Sequence, residues 1–131
     1  MPTDPSEFSR RWEAAWNARD LDQLLSHFSE EIVFTSPIAV KLVDGSDGVL
    51  RGKDALRSYW SHALELIPDL RFTVEGVYAG LDVMVINYRN QRGNLVSEVL
   101  RFDGETVVEG HGTYLVEALA NPTAVVGAHS S

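Results

Sequence analysis

One glutamate in the last third of this chain stands in a pattern that would turn it inward. Val96, Glu98, Leu100 and Phe102 alternate with Leu95, Ser97, Val99 and Arg101, and the period-two geometry of a strand puts each set on its own face. A carboxylate on the apolar face is costly unless it is hydrogen-bonded, paired or protonated. Its pKa is then expected to rise, the condition under which a carboxyl serves as general acid, general base or neutral hydrogen-bond donor. The competing reading is that Glu98 lies near a rim, where it reaches water or a nearby arginine and only aids solubility.

Around that position the sequence supplies large rings. Trp12, Trp16, Phe34, Tyr59, Trp60, Tyr88 and Tyr114 come from both halves of the chain, and each falls on or beside the inward face of its segment. Rings of this size usually fill a core, but indoles and phenols carry donors that a dry core must satisfy, and a ring-lined cavity with a few such groups is a common small-molecule site. Together with Ser36, Met84, Leu100 and Gly112 they form the candidate ligand wall around Glu98, the one candidate catalytic residue. Gly110 and Gly112 remove side chains from one face of the last strand, either to let it bend or to leave room for a ligand.

Other chemistries find little support. There is no cysteine, which excludes disulfides, thiolate metal sites and a thiol nucleophile. His27, His62, His111 and His129 show no i, i+4 pair and no metalloprotease spacing, so no metal site is expected, and no cofactor. His111 belongs beside Glu109 on the outer face. Asp44 to Gly48 lacks the ligand order of a calcium loop and reads as an acidic turn. Neither a phosphate-binding glycine loop nor a serine nucleophile elbow is present.

The elements that must hold these residues can be read in order. Asp4, Pro5, Ser6 and Glu7 form a capping box opening a helix to about Ala18, with Phe8, Trp12, Ala15 and Trp16 on one stripe. Asp20 caps a second, short helix with Leu21, Leu24, Leu25 and Phe28. Ile32 to Ser36 reads as an edge strand stopped by Pro37, and Val43 to Gly52 as turn. A third helix runs from Lys53 to about Ile67, where Pro68 ends it.

From Leu70 to Glu117 period two recurs four times, which predicts an antiparallel sheet. Its inward sets are Leu70, Phe72, Val74 and Tyr78; Met84, Ile86 and Tyr88; Val96 to Phe102 as above; and Val108, Gly110, Gly112, Tyr114 and Val116. Helices must cover that apolar face, which gives an α+β fold. The mixed outer face, with Arg89, Arg101, Glu109 and His111 among valines, suits a homodimer contact or plain solvent.

A chain of 131 residues matches one domain spanning 1–131, with residues 119–131 expected as a flexible tail. The net charge of -8 and pI near 4.8 repel phosphate backbones and anionic lipids, so neither nucleic acid nor membrane is an expected partner. The N-terminus has no leader pattern, and no apolar run nears the roughly 20 residues that span a bilayer. A cytoplasmic location is the expectation.

Residues 12–22, beginning Trp12, Glu13, Ala14, Ala15, Trp16, Asn17, then Phe28 and Ile32 to Pro37, resemble the opening of NTF2-like proteins of the SnoaL-like group. Gly52 to Trp60 resembles their third helix, and Ile67 to Phe72, Glu98 to Phe102 and Gly110 to Tyr114 continue the likeness over nearly the whole chain. The resemblance implies an NTF2-like, cystatin-like cone: a curved mixed or antiparallel sheet wrapped around helices, enclosing a pocket. In its ketosteroid isomerase branch the general-base aspartate falls on Ser36, the oxyanion-binding tyrosine on Trp12, the second acid on Glu98 and the supporting tyrosine on Trp60. Only Glu98 keeps the chemical type.

Two readings of function follow. In the first, the pocket holds a small hydrophobic molecule anchored by Glu98, with cofactor-free acid/base chemistry of the isomerase, cyclase or hydrolase kind open to it. In the second, the cavity is vestigial and the outer sheet face makes a non-catalytic dimeric interaction module.

Overall fold

The structure, a computed structural model, describes residues 1–120. Helix α1 (Pro5–Asn17) starts where expected, the Asp4 carboxylate accepting the Glu7 backbone N–H at 3.1 Å. Glu7 does not complete the capping box. Its carboxylate turns to Arg10 at 2.7 Å and Arg11 at 3.1 Å, because charged donors are stronger partners than a backbone N–H. Helix α2 (Leu21–Leu25) is capped by Asp20, which accepts from the Gln23 N–H at 3.0 Å.

Phe28 belongs not to that helix but to strand β1 (Phe28–Thr35). A four-residue helix, α3 (Ala39–Leu42), follows, then a short strand, β2 (Val49–Arg51). Both fall where the sequence reads as a strand end and a turn. The three β2 residues carry too little periodicity to register, and pairing with β1 is what makes them a strand. That pairing puts β1 inside the sheet and moves the edge to β2, which corrects the expectation of β1 as an edge strand.

Helix α4 (Lys53–Leu66) ends against Arg19, whose guanidinium donates to the carbonyls of Leu64 at 3.1 Å, Ile67 at 3.2 Å and Pro68 at 2.5 Å. These carbonyls have no partner within the helix. Arg19→Ala is expected to lower stability by about 1 kcal/mol, read as a lower urea midpoint with an unchanged slope.

Strands β3 (Thr73–Ala79), β4 (Val83–Arg89), β5 (Leu95–Asp103) and β6 (Thr106–Tyr114) complete one six-stranded sheet in the order β2-β1-β6-β5-β4-β3. The last four are antiparallel, as predicted. The sheet as a whole is mixed, since β6 lies parallel to β1. Helix α5 (Val116–Ala120) follows, so Val116, expected inward on the last strand, is helical and exposed, and residues 119–120 of the expected tail are also helical. Residues 121–131, including His129, lie outside the described residues.

Two irregularities change which side chains point inward. The register slips between Val74 and Gly76 on β3, so beyond the extra residue Val77 faces Ile86 and Tyr78, expected inward, is 62% exposed. It slips again on β6, where Phe102 opposes Val107 instead of Val108. Val107, expected outward, is fully buried, and Val108 is the unpaired bulge residue. A bulge inserts one residue into one strand and inverts the alternation beyond it; nothing in either sequence marks the spot.

Helices α1 and α4 cover the inward face. Leu25, Ile32, Leu56, Met84, Ile86, Leu100 and Val107 are essentially inaccessible. No helix among the described residues is long and apolar enough to cross a membrane.

Candidate functional site

Glu98 sits at mid-strand on β5, opposite Ile86 of β4 and Gly112 of β6. It is 5% exposed, and one carboxylate oxygen, Oε2, is sealed from solvent with no hydrogen-bond partner. Burial pushes its pKa up from an ordinary 4.5 to about 8, an effect the Trp12 indole offsets only in part. Even so, the Trp12 Nε1 makes no well-formed hydrogen bond. At neutral pH Glu98 is therefore a carboxylic acid carrying its proton.

Gly112 sits opposite Glu98, and a Cβ there would lie 3.8 Å from the Ser36 Oγ and 3.7 Å from the Tyr114 ring. The end of β1, the end of β6 and the middle of β5 thus converge. Ser36 is 3% exposed; its Oγ accepts the Ile38 backbone N–H at 3.2 Å and the Tyr59 hydroxyl of α4 at 3.3 Å. With both lone pairs engaged, Ser36 has only its own O–H to offer. It is a donor and not a base.

Tyr59, Tyr88 and Tyr114 complete the polar cluster. Burial pushes the Tyr59 phenol up to about 12 despite the Ser36 hydrogen bond, with Glu98 adding to the rise. Tyr88 and Tyr114 are also raised by burial, with Glu98 again contributing. All three phenols keep their protons at physiological pH. The result is a set of neutral donors gathered around one neutral acid.

These groups line a cavity of about 70 Å³. Trp16, Phe34, Trp60, Phe72 and Val96 form its apolar walls, and no lysine, arginine or histidine lines it. Among the described residues no group of three or more histidines and acids is placed to hold a metal ion.

The structure brings Glu98, Trp16, Phe34, Ser36, Tyr59, Trp60, Tyr88 and Tyr114 to this cavity. It does not bring the other sequence candidates there. Met84 and Leu100 are fully buried in the core, since alternation fixes a residue's face but not its distance along the strand from the cavity. Trp12 borders a separate small void with Phe8 and His27. Gly112 is paired with Glu98 and neighbours Ser36 and Tyr114 but is not itself part of the wall.

Sequence reasoning missed Ile38 and Leu42, which reach the cavity from α3, and Asn90 and Gln91 from the β4–β5 turn. Asn90 had a readable signal: its side chain accepts the backbone N–H of Arg92 at 3.0 Å and of Asn94 at 3.1 Å, the local turn that asparagine ahead of glycine favours. Gly110, open to two readings, has a definite role. A Cβ there would meet the Phe34 ring at 2.7 Å, so it makes room for a core side chain and not for a ligand.

Fold and site together define an α+β cone of the NTF2-like type enclosing a pocket with a buried acid in its wall. The profile of the SnoaL-like domain family matches residues 9–119, and the chain belongs to that family. A SnoaL-like protein of unknown function from Burkholderia thailandensis is 40% identical, covering 85% of this chain and 93% of its own, with a TM-score of 0.79. An NTF2-like protein of unknown function from Burkholderia pseudomallei covers 97% of this chain and 100% of its own at 17% identity and a TM-score of 0.75. TerC, co-crystallised with polyporic acid, covers 88% of this chain and 95% of its own at 14% identity and a TM-score of 0.72. These last two show the fold alone. Among curated proteins, none matches the chain.

Proposed function

We propose that this protein binds a small, largely apolar molecule in the cavity and fixes it by a hydrogen bond from Glu98 to an acceptor oxygen. The observation that carries the reading is a buried acid in the wall of a largely apolar cavity, one of its carboxyl oxygens without a hydrogen-bond partner, beside the hydroxyls of Ser36, Tyr59, Tyr88 and Tyr114 and with no cationic side chain in the lining. A buried polar atom left unsatisfied costs about 1–3 kcal/mol, and a ligand that partners it recovers that energy. The chemistry open to the site is cofactor-free proton transfer, with Glu98 giving its proton to a carbonyl or leaving oxygen. The co-crystallisation of TerC with polyporic acid is in keeping with a ligand pocket in this fold.

Size narrows the ligand. The 70 Å³ cavity is about half the roughly 150 Å³ that admits benzene elsewhere, so even a one-ring ligand needs the side chains at the mouth to move, and nothing larger is expected. Thermal-shift screening with one-ring ketones, phenols and the corresponding hydrocarbons tests this. Binding at about 100 times Kd stabilises by roughly 2.7 kcal/mol; that gain is expected for oxygen-bearing probes, whose affinity should fall about tenfold in Glu98→Leu, which keeps the bulk and removes the donor. No shift with any probe would count against the pocket.

The outer sheet face is a second proposed surface, for a homodimer. Val33 and Tyr78 are 38% and 62% exposed, and Val33 is paired with Glu109, which bonds both Arg101 at 3.2 Å and His111 at 2.6 Å. Light scattering on wild type and on Val99→Lys reads it. A monomer in both returns this face to solvent.

A further inference from the structure

Part of the cavity wall belongs to a segment that is only lightly fastened to the rest of the fold. Among the described residues of that wall, Leu42, Gln91 and Tyr114 are half-buried and the others buried, so the cavity meets solvent where α3, the β4–β5 turn and the end of β6 come together. Leu42 and Ile38 lie in residues 37–47, the connection between β1 and β2. The two ends of that connection are tied by the Ser36 N–H, which donates to the Gly48 carbonyl at 2.9 Å, the build of an Ω-loop. The stem is tight. Gly48 has a φ of +87°, and a Cβ there would lie 3.2 Å from the Ser36 carbonyl oxygen and 3.2 Å from Val40.

The main-chain hydrogen bonds of the loop turn back on the loop itself. Lys41 and Leu42 donate to the Ile38 carbonyl at 2.9 Å and 3.1 Å, Val43 donates to Ala39 at 3.0 Å and Ser46 to Val43 at 3.1 Å. The Ile38 N–H reaches only to the stem, at the Ser36 Oγ, and α3 has no side-chain cap. What holds the loop down is apolar: Ala39 is inaccessible against the core, and Ile38 packs with Ala118 of α5. Among the described residues, such a segment can lift without breaking a hydrogen bond to any other helix, and lids are drawn from elements of this kind.

We infer that residues 37–47 are the lid of the pocket and that Leu42 is the side chain that shuts it. The loop lifts to admit a neutral one-ring ketone and settles on it, with Leu42 limiting how large the ring can be. The inference rests on the pocket reading above and adds to it the entry route and the residue that sets ligand size.

Cyclopentanone and cycloheptanone, which differ by two methylenes, test it on wild type and on Leu42→Ala, after circular dichroism has shown the variant folded. Trp16 and Trp60 line the cavity, so tryptophan fluorescence reads Kd by titration and the binding rate after a temperature jump. In wild type that rate should level off at high ketone concentration, because the opening of the lid limits it. Leu42→Ala should raise the plateau about tenfold and shift the ratio of the two Kd values about tenfold toward cycloheptanone. A shifted ratio with an unchanged plateau would make Leu42 a fixed part of the wall and overturn the lid. A rate that climbs in proportion to concentration in both proteins overturns it as well, as do a ratio and a plateau that both stay put; a raised plateau with an unchanged ratio overturns Leu42 as the size limit. Each of these leaves the pocket standing, whereas two ketones that bind neither protein overturn pocket and lid together.

Discussion

Glu98→Gln is expected to make the protein more stable at pH 8 and to remove most of a slope that wild type shows between about pH 4.5 and pH 8. The folded carboxyl has its pKa raised by burial to about 8 from an ordinary value of 4.5, so the folded chain holds this proton more tightly than the unfolded chain does. The stability linked to it is fully present below about pH 4.5 and is lost as pH rises, at about 1.4 kcal/mol per pH unit until the folded group itself ionises. Glutamine keeps the shape and cannot ionise. The difference between the two proteins should therefore grow with pH by several kcal/mol and level off above pH 8. Urea unfolding at pH 5, 6.5 and 8 measures it, and a difference that stays constant across the three would mean that Glu98 is ionised and solvated in the folded state. The same titration predicts that affinity for a carbonyl probe falls as pH passes 8, when the donor becomes an anion.

A second large effect comes from a pair of glycines two residues apart on the same face. A methyl group at Gly110 would press on the Phe34 ring at 2.7 Å and 3.0 Å and on Leu100 at 3.3 Å. Phe34 cannot yield easily, because its ring also packs edge-on against Trp60 at 5.4 Å. Overpacking of this kind costs about 1–3 kcal/mol, which is the expected loss for Gly110→Ala in a thermal melt. Phe34→Leu added to it should restore part of that loss. At Gly112 the nearest atoms are 3.7 Å and 3.8 Å away, ordinary contact distance, so Gly112→Ala should leave stability within about 0.5 kcal/mol. Equal losses at the two positions would contradict the packing described for β6.

The same two strands show how much of the molecule was legible in its sequence. Strand alternation was enough to place Glu98 inward, because β5 runs without a break from Leu95 to Arg101 opposite β4. It failed for Tyr78 and Val107, where a bulge lies between the readable part of the strand and the residue in question. Periodicity over a dozen residues made α1 and α4 plain, whereas the three residues of β2 became a strand only through β1, eighteen residues upstream in the register of Val33 with Arg51. The site divided in the same way. Ring chemistry and an acid out of place drew attention to Trp16, Tyr59 and Glu98. Ile38 and Leu42 went unseen because α3 is a single turn whose sequence is ordinary. Trp12 and Met84 share the inward face but do not line the cavity, because a shared face says nothing about depth.

The parallel ladder between β1 and β6 carries a consequence for how the molecule comes into being. Thr35 is paired with His111, so the segment bearing Ser36 finds its main-chain neighbour more than seventy residues later, and β6 must settle between β1 and β5 to join the two parts of the sheet. Pairings of such sequence separation form late, since a long loop has to close before they return any energy. During synthesis on a ribosome the early helices and β1 emerge long before that seam can close. The chamber is therefore among the last features to be born, and a nascent chain halted short of β6 would display its tryptophans to chaperones with no binding site yet made.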